Sequence, residues 1–245
     1  MRRPLAGLAL AVAFLTIVPA RVRPPVPSLG AAAPWFPVVG AGVGAAGGGI
    51  AWLARPSLGA AVAAVLAVVL VVVLTGALHQ DGLADCADGL GVRGDRERRL
   101  AVMRDPVVGT FGVLALVAWF ALAVAALAGL ARHDAWRALL VAAAVGRWAA
   151  LVHGTAAGPA RRDGLGSAFA IAPGAVAVAT VPAAVAALAA AGVGAGLAAL
   201  AAGLLVAGLV TAWARAVLGG RTGDTLGATV ALTEAAVLVV LLGLA

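Results

Sequence analysis

The fold class this chain predicts is all-α: a polytopic integral membrane helical bundle, and three observations carry that prediction. Hydrophobic residues make up 64% of its 245 residues. The mean hydropathy is +1.10, and apolar runs long enough to cross about 30 Å of hydrocarbon follow one another along the chain. Soluble domains hold nearer half apolar residues. Residues 1–245 therefore read as a single transmembrane domain of about seven to eight helices with one short interfacial helix. The net charge is +7 and, with no lysine present, every basic residue but histidine is an arginine. In a soluble protein a pI near 11.6 would suggest nucleic acid. Here the arginines lie in short loops between apolar runs, where topology and anionic lipid account for them, and no nucleic-acid partner is expected. The lone Cys86 excludes an internal disulfide and reads as a small packing residue.

Apolar spans are drawn at 5–19, 35–54, 58–78, 107–131, 135–157, 174–193, 197–218 and 225–245. The first follows a basic start and could pass for a signal peptide. Proline-rich sequence and further spans follow at once, so it is read as a short first span. Between the first two spans, RVRPPVPSLGAAAPWFP should run extended on its prolines. Trp35, Trp148 and Phe169 are expected to be interface anchors, with docking of a bulky ligand as the second reading. In the second span Gly40, Gly44 and Gly48 recur every four residues, a face on which a neighbouring helix backbone can approach closely.

Between the third and fourth spans lies the polar centre of the chain. His79 to Gly112 holds six of the ten acids and five arginines, Arg93, Arg96, Arg98, Arg99 and Arg104. Asp81, Asp85 and Asp88 stand at i, i+4 and i+7, which spreads them over only about 60° of a helix face. In lipid each would cost roughly 2.5 to 3.5 kcal/mol, so the cluster needs cations, either a bound divalent metal or the arginines. Taken by itself, the run from Arg93 to Arg104 is a solvated loop, and Asp95 to Met103 within it suits a short helix lying along the surface. Acids on one helix face beside a membrane seldom serve packing and point to function. His79 reads equally as a group that orients a ligand or takes a proton and as a cap where the span meets the interface.

Two later loops add to this. ARRDGLGSAFA, from Ala160, couples Arg161 and Arg162 to an acid and glycines; RAVLGGRTGDTLGATVALTE, from Arg215, has glycines whose amides can converge on an anion, with Asp224 beside them. Arg21 and Arg23, the five arginines above, Arg161, Arg162, Arg215 and Arg221 all fall in loops on one side. The other side has only Arg2, Arg3, Arg55, Arg132 and Arg137, so the first set should be cytoplasmic. Clustered carboxylates, guanidinium groups and glycine-rich turns on one face are what a diphosphate with Mg²⁺ needs, since hard oxygens hold the metal and arginine forks grip phosphate.

HQDGLADCADGL, RDPVVGTFG from Arg104 and GGRTGDTLGA from Gly219, together with TIVPARV at Thr16, WFPVVGAGVG at Trp35 and RRDGLGSAF, resemble the cobalamin (vitamin B12) synthase family, the adenosylcobinamide-GDP ribazoletransferases. The similarity runs from about residue 10 to Glu234. It implies a Mg²⁺-dependent transferase of the cell membrane, with adenosylcobinamide-GDP and α-ribazole or its 5′-phosphate as partners. A nucleoside hydroxyl attacks the phosphorus on the corrinoid's aminopropanol arm, and GMP leaves. By the motif match Asp81, Asp85 and Asp88 are catalytic metal ligands and Asp224 a fourth. Arg104 and Asp105, Arg161 and Arg162, and Gly220, Thr222 and Gly223 are expected around phosphate, with His79 as base or supporting group. Pro106 stands where a small hydroxyl residue is expected, which removes a backbone donor. A CDP-alcohol phosphotransferase would carry an arginine inside its acidic motif, and none lies between Asp81 and Asp88. An ion-coupled transporter would place its acids near the midplane, usually with paired repeats.

Overall fold

The computed structural model describes residues 3–22, 26, 28–169 and 171–245. Arg2, Arg23, Pro24, Pro25 and Pro27, which enter the expectations above, lie outside the described residues. Among the described residues six helical stretches are long and apolar enough to cross a membrane. Helix α1 is Arg3–Leu15, followed by a short α2, Leu29–Ala32, and a 3₁₀ turn, Ala33–Trp35. The stretch from Leu29 is therefore helical where an extended course was expected. At 13 residues α1 is about 20 Å long, too short to cross upright, which corrects the first expected span. It folds back on α2, and a Cβ at Gly7 would lie 2.5 Å from the carbonyl oxygen of Ala31.

Helix α3, Phe36–Leu74, contains the next two expected spans. Its 39 residues would extend about 58 Å if straight, nearly twice the hydrocarbon thickness. Pro56 and Gly59 break it, Gly59 having φ 77° and ψ 170°. The halves fold back on each other, for a Cβ at Gly47 would sit 2.7 Å from Val71 Cγ2 and 3.0 Å from the Ala67 carbonyl oxygen. The remaining helices are α4, Leu78–Gly91; α5, Arg96–Val102; α6, Thr110–Gly129; α7, Arg132–Ala156; α8, Leu165–Ala168; α9, Pro173–Ala191; α10, Val193–Trp213, which runs on as a π turn to Leu218; and α11, Gly223–Gly243. Helix α5 is the expected short surface helix, capped by the Asp95 carboxylate, which accepts from the Arg98 amide at 2.9 Å.

Helices α7 and α11 form the interior. Residues 141–151 of α7 are buried without interruption. Against one side of α7 lies the glycine face of α3: a Cβ on Gly40 would come within 2.4 Å of the Ala143 carbonyl oxygen, and one on Gly44 within 2.3 Å of that of Leu139. Helix α11 packs on another side, where Gly146 faces Val230 and Glu234. Helices α6, α9 and α10 surround this pair and turn residues such as Val117, Val185 and Leu205 outward, as lipid-facing helices do. Trp148 and Phe169 are buried, at 5% and 2% exposure, and so are not interface anchors. The Trp148 indole donates to Thr180 Oγ1 at 2.9 Å, and Phe169 packs against Phe36 at 6.1 Å between ring centroids.

The glycine face gives a direct test. Gly44→Val should strip backbone contact between α3 and α7 and lower the unfolding midpoint in detergent, an overpacking cost of about 1–3 kcal/mol. Gly42→Ala, where a Cβ meets nothing within 4 Å, should leave the midpoint unchanged or raise it, because alanine is the better helix former.

Candidate active site

The chain leaves α3 through Thr75–Ala77, where Gly76 and Ala77 both adopt positive φ, 59° and 57°. This tight turn sends α4 across the end of the bundle onto the first turn of α11. Contact is at backbone distance, since a Cβ at Gly82 would lie 2.6 Å from the carbonyl oxygen of Asp224. The acid face of α4 and the acid of α11 are thereby brought together, and each carboxylate meets a different environment.

Asp88 binds two backbone amides. Its Oδ2 accepts from the Gly109 amide at 2.7 Å and its Oδ1 from the Gly112 amide at 2.9 Å. It therefore caps α6, in the place where a carboxylate satisfies orphan amides and complements the helix dipole. Asp81 is exposed and Asp85 half-buried. Asp85 is pushed up to about 7 by burial first and then by the charges of Asp224, Asp81 and Asp88, with Arg161 opposing. Asp224 accepts from Arg161 Nη2 at 3.2 Å and from the Thr222 hydroxyl at 3.2 Å. Among the described residues no three His, Cys, Asp or Glu side chains are drawn into a closed metal cage. The donor set is nonetheless all hard oxygen and short of positive charge. A small divalent cation that keeps several of its waters needs only one or two of these carboxylates directly.

The expected phosphate-binding residues divide into two groups. Arg161 has Nη1 buried with no hydrogen-bond partner, so half of its guanidinium remains to grip an anion. Arg162 is exposed. Arg104 forms an exposed ion pair with Asp163 at 2.7 Å, which ties the 104–109 turn to the 161–164 loop, and Asp105 closes that turn by accepting from the Val107 amide at 3.0 Å. In the glycine-rich loop the Gly220 amide is spent on the Ala214 carbonyl at 3.0 Å. Gly220 itself is needed because a Cβ there would lie 2.3 Å from the Gly158 carbonyl oxygen. Thr222 is the N-cap of α11 in a reciprocal capping box with Thr225. Gly223, the first residue of α11, is thus the part of this loop that presents a helix N-terminus beside Asp224. His79 is buried and faces inward; burial and then the charge of Arg147 hold its imidazole well below its ordinary value, so it is neutral.

Sequence reasoning missed the residues that hold the loops in place. Arg221 is buried and donates to the carbonyls of Ala157, Gly166 and Phe169, at 2.9 Å to Gly166 and 3.0 Å to Phe169. Arg96 reaches from α5 to the carbonyls of Leu218 and Ala160. It also missed Arg147 and Glu234, a buried ion pair between α7 and α11. A signal for this pair was present, because one arginine and one glutamate stand well inside two expected spans, and such charges must find each other.

The bundle and its acidic end define a polytopic membrane enzyme with a carboxylate-rich site at one face. Residues 7–242 match the family model described as cobalamin-5-phosphate synthase, and the chain belongs to that family, the transferases of cobalamin biosynthesis. An adenosylcobinamide-GDP ribazoletransferase of Roseiflexus sp. (strain RS-1) is 39% identical over 97% of this chain and 90% of its own. Those of Geotalea daltonii, 38% over 92% of each chain, and Bradyrhizobium diazoefficiens, 39% over 98% and 94%, are similarly close. No solved structure matches the chain.

The raised proton affinity of Asp85 sets the sign of a pH effect. The group titrates near 3.8 unfolded and about 7 folded, so between those values the folded state keeps a proton that the unfolded state has lost. The associated stability is present at low pH and is lost as pH rises to 7. Metal-free wild-type protein in detergent should lose more thermal stability than Asp85→Asn between about pH 5 and about pH 8, and the variant should be the more stable at the upper value. Equal pH slopes in melting curves of the two would contradict this assignment.

Proposed function

We propose that this chain, with Mg²⁺, transfers the adenosylcobinamide phosphate group from adenosylcobinamide-GDP to α-ribazole or its 5′-phosphate, at the cytoplasmic face of the cell membrane. The observation that carries the reading is the meeting of Asp81, Asp85 and Asp224 beside Arg161, whose Nη1 is buried without a partner. An excess of carboxylates with an unsatisfied guanidinium suits a diphosphate that arrives with a cation. The names of the relatives support the substrates.

In the reaction a nucleoside hydroxyl oxygen forms a bond to the phosphorus on the aminopropanol arm. The bond from that phosphorus to the bridging oxygen breaks, and GMP leaves with the bridging oxygen. Asp81, Asp85, Asp88 and Asp224 would hold Mg²⁺, which when bound would supply charge stabilisation for the diphosphate. Arg161 holds phosphate oxygens through Nη1 while Nη2 stays on Asp224. Asp88 positions, since its grip on Gly109 and Gly112 fixes the RDPVVGT turn against α4. A carboxylate of the cluster takes the hydroxyl proton, His79 being turned into the bundle. Arg104 and Arg162, on the outer rim, attract the anionic substrate by their charge.

Asp81→Asn or Asp85→Asn in nanodiscs should lower GMP release by on the order of 100-fold or more while leaving size-exclusion profiles intact. Chelation should abolish turnover and added Mg²⁺ restore it. Near-normal turnover in either variant, or in chelated protein, would remove the assignment.

Sidedness has its own test, on a Cys86→Ala background. Arg93→Cys and Arg162→Cys should react with an impermeant maleimide only from the cytoplasmic side, and Asp134→Cys, at the other end of the bundle, only from outside. Reaction of the first two from opposite sides would break up the composite site.

A further inference from the structure

Helix α7 ends in a histidine that the reaction as described leaves unused. His153 lies in the last turn of α7 and is wholly buried. Both ring nitrogens are engaged: Nδ1 is 2.8 Å from Thr211 Oγ1 of α10, and Nε2 is 2.9 Å from Thr225 Oγ1 of α11. Which nitrogen carries the proton follows from where the hydroxyl protons go. Thr225 Oγ1 donates to the Thr222 carbonyl and accepts from the Thr222 amide, each at 3.0 Å. Among the described residues Thr211 Oγ1 is bonded to the ring alone, so its proton is satisfied only by donation to Nδ1. The ring is therefore the Nε2–H tautomer, donating to Thr225. Every proton of the chain then has an acceptor, whereas the other tautomer would strand the Thr211 proton between buried helices.

The chain of bonds continues from Thr225 into the site. Thr225 closes the capping box with Thr222 at the start of α11. The Thr222 hydroxyl accepts from the Thr225 amide at 3.2 Å and donates to Asp224 Oδ2, also at 3.2 Å, and that same carboxylate oxygen takes Arg161 Nη2. Thr222 and Thr225 are buried, so bulk water does not replace a bond lost there. We infer that His153 is a positioning residue for the transfer: its Nε2–H fixes the Thr222–Thr225 cap, and through it the direction in which Asp224 meets Arg161 and the diphosphate. The inference rests on the transferase reading above. A ring that only pinned α7 to its neighbours would depend on both of its contacts alike, while positioning depends on the one to Thr225.

Two substitutions separate the contacts. The amide of glutamine reaches the place of Nε2 and that of asparagine the place of Nδ1, so His153→Gln keeps a donor to Thr225 and His153→Asn keeps only the contact with Thr211. In nanodiscs His153→Gln should stay within a few-fold of the wild type, while His153→Asn should lose about tenfold or more in kcat/KM for adenosylcobinamide-GDP, as slight misplacement around reacting groups does. In an Asp224→Asn background His153→Asn should cost little further, because the two residues act in one chain. Nitrogen-15 NMR of histidine-labelled protein gives a readout without turnover, since the chain has three histidines and His79 and His133 are assigned by substitution. The His153 ring should carry its proton on Nε2, and amide hydrogen exchange at Thr225 should quicken in His153→Asn and not in His153→Gln. A proton on Nδ1, equal turnover in the two variants, or losses that multiply in the Asp224→Asn background would mean that the ring only packs, and the inference falls while the transferase reading stands. If the wild type transfers nothing, yet the proton is on Nε2 and exchange at Thr225 responds as stated, the positioning chain stands and the transferase reading falls. Should His153→Asn fail to fold, a tenfold loss in His153→Gln or a proton on Nδ1 overturns the assignment.

Discussion

Gly82 permits α4 and α11 to cross with their backbones in contact, because any Cβ there would lie 2.6 Å from the Asp224 carbonyl oxygen. That crossing brings acids separated by more than a hundred residues into one another's field. Its electrostatic cost is visible at Asp85, whose proton affinity rises under burial and the charges of Asp224, Asp81 and Asp88. A fold does not assemble like charges for stability; it tolerates them where a cation or an anionic substrate with its cation will relieve them. The rest of the polar end is arranged around that tension. Asp88 caps α6 through both oxygens and Asp224 accepts from Arg161 and Thr222, while Asp81 and Asp85 lie beside them on the same helix as Asp88.

Arginine is used here in two distinct ways. Arg96, Arg99, Arg215 and Arg221 donate to backbone carbonyls at helix ends and in loops, and so satisfy acceptors that neither lipid nor a neighbouring strand could serve. Arg221 is the fullest case, one buried guanidinium joining three carbonyls of the 157–169 segment to the start of α11. A lysine could not do this, for its ammonium is a compact point charge without a planar fork. Arg161 is close to the acids of α4 and α11 and incompletely bonded. The absence of lysine thus follows from what these positions require as well as from composition.

How much of this was legible in the sequence depended on whether the signal was local. The spans were readable from hydropathy, and the break in α3 from the gap between the spans drawn at 35–54 and 58–78, where Pro56 falls; Gly59, which completes the break, lies just inside the second of them. The four-residue spacing of Gly40, Gly44 and Gly48 foretold the close face toward α7. The helical spacing of Asp81, Asp85 and Asp88 put them on one face, yet only the three-dimensional contact with Gly109 and Gly112 shows that Asp88 also caps α6. Gly220 looked like an anion-binding amide because glycine at a turn suggests free donors; its amide goes to Ala214, a partner set by how the π turn ends. Phe169 looked like an interface anchor because an aromatic residue near a span end has the same local signature whether it faces headgroups or neighbouring helices; Trp148 stands mid-span, where its burial against α9 was the better expectation.

The Arg147–Glu234 pair shows why the interior helices are more polar than their neighbours. A buried pair of opposite charges is often no more stabilising than apolar residues of equal volume, whereas loss of one partner costs about 3–5 kcal/mol. Stability alone therefore does not explain a full ion pair between α7 and α11 directly below the acids. The pair instead fixes how the two interior helices meet, since opposite charges on α7 and α11 come together at one register alone.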